Sequence, residues 1–112
     1  MEFNSNKAIY LQIADNICEQ ILSDAIRQGD RIPSVREWGA SIGVNPNTVA
    51  RSYETLTDQG VIFNKRGIGF FVSDDAKDAI LRSHRQEFIE QELPVFLKKA
   101  QLLGLDLKDY IK

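Results

Sequence analysis

Two helix-start signals separated by a glycine constrain this chain more than any other feature of its sequence. Ser34 stands three residues before Glu37, which predicts a capping box in which each side chain accepts the other residue's backbone N–H. Asn45 and Pro46 form the second signal, because Asn is a favoured N-cap and Pro at the first helical position loses only an unpaired N–H. Gly43 suits the left-handed end of the helix between them. The spacing predicts a helix-turn-helix, with helices over residues 35–42 and 46–59.

Apolar residues at helical spacing define the core of this unit. A helix predicted over residues 7–27 carries isoleucine at every fourth position: Ile9, Ile13, Ile17 and Ile21. The helix-turn-helix has its own inward face: Val35, Trp38, Ile42, Val49, Tyr53 and Leu56. We interpret Trp38 as a core residue. Cys18 is interpreted as a small buried side chain, because no basic neighbour is placed to lower its pKa.

Once the core positions are assigned, the outer face of the second helix of the helix-turn-helix is left with short polar side chains and one arginine. These residues are Asn45, Asn47, Thr48, Arg51 and Ser52. Side chains of this kind at the N-terminal end of a helix read base edges and hold phosphates. Arg36 points outward from the first helix, beside the start of the second. The pattern therefore predicts double-stranded DNA as the partner.

The hydrophobic period changes from helix to strand after Gly60. Two short β-prone runs, 61–63 and 70–72, flank a glycine-containing segment with a basic tip made by Lys65, Arg66 and Gly67. Ile32, held extended by the following proline, predicts a short strand that could pair with this hairpin. A hairpin directly after a helix-turn-helix is a wing. The predicted fold class is mainly α with a small β-hairpin wing, followed by a C-terminal helical segment.

The last 39 residues predict helices with too little chain for a core of their own. Their apolar face must be buried against a second copy, against the DNA-reading unit, or against both. Dimerisation would bury this face and would also let two copies read two half-sites. Pro94 predicts a kink or a new helix start. We therefore predict a DNA-binding domain over residues 1–73 and a dimerisation tail over residues 74–112. The predicted dimer contacts are Ile80, Phe88, Leu93, Phe96, Leu97 and Leu103.

Composition and single residues argue against other classes of function. A net charge of −2 predicts weak non-specific DNA binding, so that affinity depends on specific contacts and on dimerisation. The chain has no apolar run of membrane-spanning length and no signal-peptide pattern, which predicts a cytoplasmic protein without a membrane partner. His84, the only histidine, lies among charged residues, and no metal cluster or nucleophile–base pair is visible. Neither enzymatic activity nor a cofactor is expected, and the sequence assigns no small-molecule effector.

The run from Arg31 to Val72 resembles the winged helix-turn-helix of GntR-family bacterial transcriptional regulators. Their pattern is LPS-x-R-x-LA, then GV-x-x-x-TV, then L-x-x-x-G and a wing R-x-G-x-G-T-F-V, and the likeness covers about residues 9–73. The form VNPNTVARSY and the ending LLGLDLKDYI are similar to the YtrA subfamily, whose members have a short dimerising tail and often regulate transporter operons.

The resemblance implies a set of DNA-contacting residues and two departures from the family pattern. The set is Ser34, Arg36, Asn45, Asn47, Thr48, Arg51, Ser52, Lys65, Arg66 and Gly67. Pro46 stands where many members have arginine, which shifts specificity to Asn47 and Arg51, and Phe70 replaces the usual wing threonine. A homodimeric repressor that binds an inverted repeat is the leading hypothesis. The alternative is a winged-helix protein-interaction module, but such domains commonly lose the basic wing that this chain keeps.

Overall fold

The computed structural model describes residue 3 and residues 6–111, which form two compact units divided in sequence between Ile80 and Leu81. The first unit has three helices, a three-stranded sheet and the start of a fourth helix. In chain order the elements are α1 (Ile9–Leu22), β1 (Arg31–Ile32), α2 (Val35–Ile42), α3 (Pro46–Asp58), β2 (Ile62–Lys65), β3 (Gly69–Val72) and α4 (Ala76–Glu87). The predicted fold class is confirmed.

Helix α1 buries its isoleucine stripe but ends five residues before the predicted end at residue 27. Ile13, Ile17 and Ile21 have no exposed surface, whereas Ile9 in the first turn is 46% exposed. The helix stops because Asp24 adopts a left-handed backbone conformation, with a φ of 63°. Aspartate is one of the few residues that tolerates this conformation, and its carboxylate here lies 2.8 Å from the Lys77 ammonium group.

The buried thiol of Cys18 predicts a change in stability at high pH. Burial, followed by the nearby charges of Asp15 and Glu19, raises its pKa from 9.0 to about 12. Between these pH values the unfolded chain therefore loses the thiol proton more readily than the folded chain, so the free energy of unfolding should fall as pH rises. Urea denaturation across this range should give a shallower pH dependence for Cys18→Ala than for the wild type. The cavity in that variant adds a pH-independent penalty, so equal slopes would contradict the prediction.

Both predicted helix caps are present at the helix-turn-helix. The Glu37 N–H donates to the Ser34 hydroxyl oxygen at 3.1 Å, and the Ser34 N–H donates to a Glu37 carboxylate oxygen at 3.3 Å. The Asn45 side-chain oxygen accepts the Asn47 N–H at 2.8 Å. Gly39 lets α2 pack directly on the turn, because a Cβ added there would lie 2.5 Å from the Val44 carbonyl oxygen.

The three strands form an antiparallel sheet in the order β1-β3-β2. The wing strands β2 and β3 pair Ile62 with Val72, and the short strand β1 pairs Ile32 with Phe70. The predicted pairing of a short strand near Ile32 with the hairpin is confirmed. This pairing attaches the wing to the chain just before α2, so the wing and the helix-turn-helix belong to one packed body.

Helix α3 is the central element of the core. Val49, Tyr53 and Leu56 are almost completely buried on its inner face. The Tyr53 hydroxyl donates to the Pro33 carbonyl oxygen at 2.6 Å, and its ring meets Phe70 edge-on with centroids 5.0 Å apart. Burial, with a smaller effect of the Glu37 charge, raises the Tyr53 pKa, so this hydroxyl stays a donor. Tyr53 thus joins α3 to the segment before α2 and to the wing. Trp38 is also in the core, as predicted.

The second unit is helical, with an interruption beside Pro94. After α4 the chain continues through a π-helical turn, Phe88–Glu92, into α5 (Leu93–Leu102), and a 3₁₀ turn covers Leu107–Asp109. The Leu93 N–H donates to the Phe88 carbonyl, five residues back. Proline lacks an N–H and its ring clashes with the carbonyl of the residue four positions back, so the wider π turn accommodates Pro94 at the start of α5. Of the two alternatives predicted at Pro94, a kink or a new helix start, the structure has the helix start.

Candidate nucleic-acid interface

The outward face of α3 presents most of the polar residues that the sequence assigns to it. Asn45, Asn47 and Arg51 are exposed, and Thr48 is half-buried. The cap uses the Asn45 side-chain oxygen and leaves its amide N–H groups available. Ser34 is similar, because its oxygen accepts the capping bond while its O–H can still donate. Phosphate oxygens accept hydrogen bonds, so both caps retain the donors that a phosphate contact needs.

Ser52 lies inside the first unit, and its predicted outward position is wrong. Its side chain is fully buried, and its hydroxyl lies 2.7 Å from the Tyr10 carbonyl oxygen and 3.2 Å from that of Thr48, which both act as acceptors. The helical period explains the error. Position 52 is three residues after Val49 and four before Leu56, both of which are buried, so it belongs to the inner face. Ser52 therefore connects α3 to the first turn of α1.

Tyr10 lies beside the outward face of α3, at a position that the sequence patterns do not single out. The Arg51 guanidinium carbon lies 4.1 Å from the centroid of the Tyr10 ring, at the distance of a cation–π contact. An open groove runs beside this pair and is lined by Ile9, Tyr10, Asn47, Thr48 and Arg51. No spacing within α3 points to Tyr10, because its partner lies 41 positions further along the chain.

The tip of the wing is exposed and basic, as predicted. Lys65 and Arg66 are exposed, and the Ile68 N–H donates to the Lys65 carbonyl at 2.9 Å to close the turn. Gly67 has a φ of +78°, a conformation that glycine adopts without steric cost. The Lys65 ammonium group lies 5.0 Å from the Phe71 ring centroid, which orients its side chain along the hairpin. Phe70, which replaces the usual threonine, packs on Tyr53 instead of facing outward.

Arg31 and Arg36 add two positive charges at the helix-turn-helix. Arg36 is exposed in the first turn of α2. The Arg31 side chain lies so close to the wing that a Cβ added at Gly69 would be 3.0 Å from its Nε. Hydrogen bonds from Ser34, with a smaller contribution from Arg31, hold the pKa of the Glu37 carboxyl below its ordinary value. The basic groups therefore share this surface with the Glu37 carboxylate, which is ionised at neutral pH.

Of the residues predicted to form the dimer interface, some are exposed on the unit that contains them and others are buried in it. Phe88, Phe96, Leu97 and Leu103 are exposed large apolar side chains of the second unit. Leu93 is half-buried. Ile80 is fully buried in the core of the first unit with Ala76 and Ala79, because it lies one helical turn after Ala76, so it is removed from the dimer set. An apolar pocket of about 230 Å³ in the second unit is lined by Phe96, Lys99, Ala100, Leu103, Leu105, Leu107 and Tyr110.

The described residues contain neither a candidate metal cluster nor a membrane-spanning helix. Within residue 3 and residues 6–111, no group of three or more His, Cys, Asp or Glu side chains is placed to hold a metal ion. Across the same residues, every helix is too short or too polar to span a bilayer.

A capped helix-turn-helix whose polar recognition face is flanked by a basic wing defines a winged-helix DNA-binding domain. The model of the bacterial regulatory proteins of the gntR family matches residues 9–72. That match covers more than half of the chain, so this chain belongs to the GntR family, as the motifs indicated. Like its relatives, it is a DNA-binding transcriptional regulator.

Relatives and solved structures agree with this assignment over most of the chain. The Bacillus subtilis HTH-type regulator YhcF is 36% identical over 91% of this chain and 89% of its own length. The B. subtilis HTH-type transcriptional repressor YtrA is 34% identical over 93% of this chain and 79% of its own. A GntR-family regulator from Bacteroides thetaiotaomicron has a TM-score of 0.81 at 48% identity, covering 92% and 89% of the two chains. The DNA-binding domain of AraR, solved with operator ORE1, has a TM-score of 0.56 at 26% identity, covering 64% and 90%.

Proposed function

We propose that this regulator is a homodimeric repressor that binds an inverted-repeat operator, with α3 of each protomer in the major groove. The observation that carries the proposal is the outer face of α3, where Asn47 and Arg51 are exposed beside a basic wing. An arginine can pair with guanine and an asparagine with adenine, so the two side chains can discriminate base pairs. The similarity to YtrA, which is named as a repressor, supports repression rather than activation.

The other DNA-facing residues have positioning roles in this proposal. Arg36, Ser34 and Asn45 donate to phosphates at the edges of the groove, and Lys65 and Arg66 at the wing tip contact the adjacent backbone or minor groove. Gly67 allows the wing to approach closely. With a net charge of −2, the chain gains little from non-specific attraction, so two half-sites must be bound together for tight binding.

The second part of the proposal is that the helical tail supplies the dimer interface. We assign residues 1–73 to DNA binding and residues 74–112 to dimerisation, with the start of α4 (Ala76, Ala79 and Ile80) packed in the core of the first unit. Five exposed aromatic or aliphatic side chains of α5 and the segments around it support this assignment: Phe88, Phe96, Leu97, Leu102 and Leu103. A twofold dimer would present two copies of α3 to half-sites about one helical turn of DNA apart. Control of a transporter operon in the cytoplasm is the biological setting that we propose.

Selection from a pool of randomised duplexes tests this function. The wild-type protein should enrich an inverted repeat, and fluorescence anisotropy should give tighter binding to that duplex than to a mixed-sequence duplex at two salt concentrations. No enriched inverted repeat, or equal affinity for both duplexes, would reject the proposal. A stable protein partner in place of a DNA complex would favour the interaction-module alternative.

Arg51→Ala should weaken binding to the selected duplex by about 1–3 kcal/mol if the arginine reads a base, with loss of preference at that base pair. If the arginine holds a phosphate instead, affinity for all sequences should fall alike, and the salt dependence should become less steep. The matched control is Arg27→Ala, which removes the same charge from an exposed position in the loop after α1. An Arg51→Ala protein with unchanged affinity and salt dependence would remove Arg51 from the interface.

A further inference from the structure

We infer that Tyr10 is a positioning residue for Arg51. The first turn of α1 is then part of the surface that contacts DNA. This inference rests on the proposed function of α3 as the recognition helix. It extends that function to a residue outside the helix-turn-helix and the wing.

The contact between the two residues places the Arg51 guanidinium group over the Tyr10 ring. The Arg51 guanidinium carbon lies 4.1 Å from the Tyr10 ring centroid. A guanidinium group carries its five N–H donors in its plane, and stacking on a ring does not consume them. The donors that pair with guanine or with a phosphate are therefore still available while the side chain is held against α1.

Tyr10 can hold Arg51 in place because its own backbone is attached to α3. The Ser52 hydroxyl lies 2.7 Å from the Tyr10 carbonyl oxygen, which accepts its hydrogen bond. Ser52 follows Arg51 directly in α3, so this bond sets where the ring stands relative to the arginine. The Tyr10 side chain is half-buried, which limits its movement further.

Holding the arginine in advance lowers the cost of ordering it on DNA. A free arginine side chain has several rotatable bonds, and it loses this freedom when it docks on a base or phosphate. Among the described residues no carboxylate forms an ion pair with Arg51. The Tyr10 ring is therefore the contact that restrains the guanidinium group without competing for its hydrogen bonds.

A double-mutant cycle measured on the selected duplex tests the inference. Tyr10→Leu should weaken binding by roughly 3- to 30-fold, the range expected for loss of one cation–π contact. The same change made in an Arg51→Gln protein should have almost no further effect. Tyr10→Phe, which keeps the ring, should recover most of the affinity. Leu22→Ala, at the opposite end of α1, controls for general weakening of that helix.

The outcomes separate this inference from the proposed function. If the wild type prefers the selected duplex but the Tyr10→Leu and Arg51→Gln effects simply add, the positioning role is wrong and the proposed function stands. The role is also wrong if Tyr10→Phe binds as weakly as Tyr10→Leu, or if Leu22→Ala reproduces the loss. A wild type without sequence preference rejects the proposed function, and the positioning role is rejected with it. Thermal unfolding of each variant separates a loss of folded protein from a loss of DNA contact.

Discussion

Tyr53→Ala is expected to lower the free energy of unfolding by about 3–5 kcal/mol, the range for truncation of a buried aromatic side chain. The Tyr53 side chain is 1% exposed, so no surrounding water compensates for the lost contacts. The variant also loses the hydrogen bond to the Pro33 carbonyl and the edge contact with Phe70. Because these contacts join α3 to the segment before α2 and to the wing, the DNA-reading surface should lose its arrangement together with its stability.

Tyr53→Phe separates the hydroxyl from the ring. This variant keeps the packing but removes the 2.6 Å hydrogen bond that the buried hydroxyl donates to the Pro33 carbonyl, which should cost about 1 kcal/mol. The comparison is Tyr110→Phe, where the tyrosine is 70% exposed and the change should stay within about 0.5 kcal/mol. Urea denaturation followed by circular dichroism gives all three values. A loss for Tyr53→Phe as small as that for Tyr110→Phe would show that the buried hydrogen bond contributes nothing.

Phe96→Glu should convert the proposed dimer into monomers and reduce affinity for the selected duplex by about a hundred-fold or more. Phe96 lies on α5, 56% exposed, at the wall of the apolar pocket in the second unit. A carboxylate buried there by a partner chain would lose its hydration, and pairing with Lys99, which lines the same pocket, would offset only part of that cost. Once the protomers separate, each protomer binds a half-site alone, and the affinity gained by binding two half-sites together is lost.

The control for this variant is Lys98→Glu. It introduces the same carboxylate two residues later, roughly 200° around the helix from Phe96. Analytical ultracentrifugation should show a dimer for the wild type and for Lys98→Glu, and a monomer for Phe96→Glu. A dimeric Phe96→Glu protein would contradict the assignment of this face to the interface. Monomers that keep wild-type affinity would contradict the dependence of operator binding on dimerisation.

The parts of the fold that could be predicted are those held by contacts between residues close together in the sequence. The capping box at Ser34 and the Asn45–Pro46 helix start involve bonds between residues two or three positions apart, and both were found where expected. The wing followed from two β-prone runs around a glycine turn. The end of α1 was misplaced, because the left-handed conformation of Asp24 has no strong signal in an otherwise helical pattern.

The candidate site was less predictable, because it depends on what each helix packs against. The rule that polar residues face solvent predicts an exposed Ser52, but a buried hydroxyl that has an acceptor costs little. The helical period alone, with Val49, Tyr53 and Leu56 as guides, would have placed Ser52 inside. Ile80 was assigned to the tail by its position after the wing, yet it packs in the core of the first unit.

The sequence by itself determined the helix-turn-helix, its caps, the basic wing and the family, because these depend on local backbone chemistry and on motif spacing. Only the tertiary structure decided how the recognition face is completed. The bond from Ser52 to Tyr10 spans 42 positions and brings the Tyr10 ring against Arg51. Contacts over such a distance arise only when α1 and α3 pack together, since no local rule relates the two residues. Burial of the apolar faces of these helices therefore sets the position of the arginine proposed to read DNA.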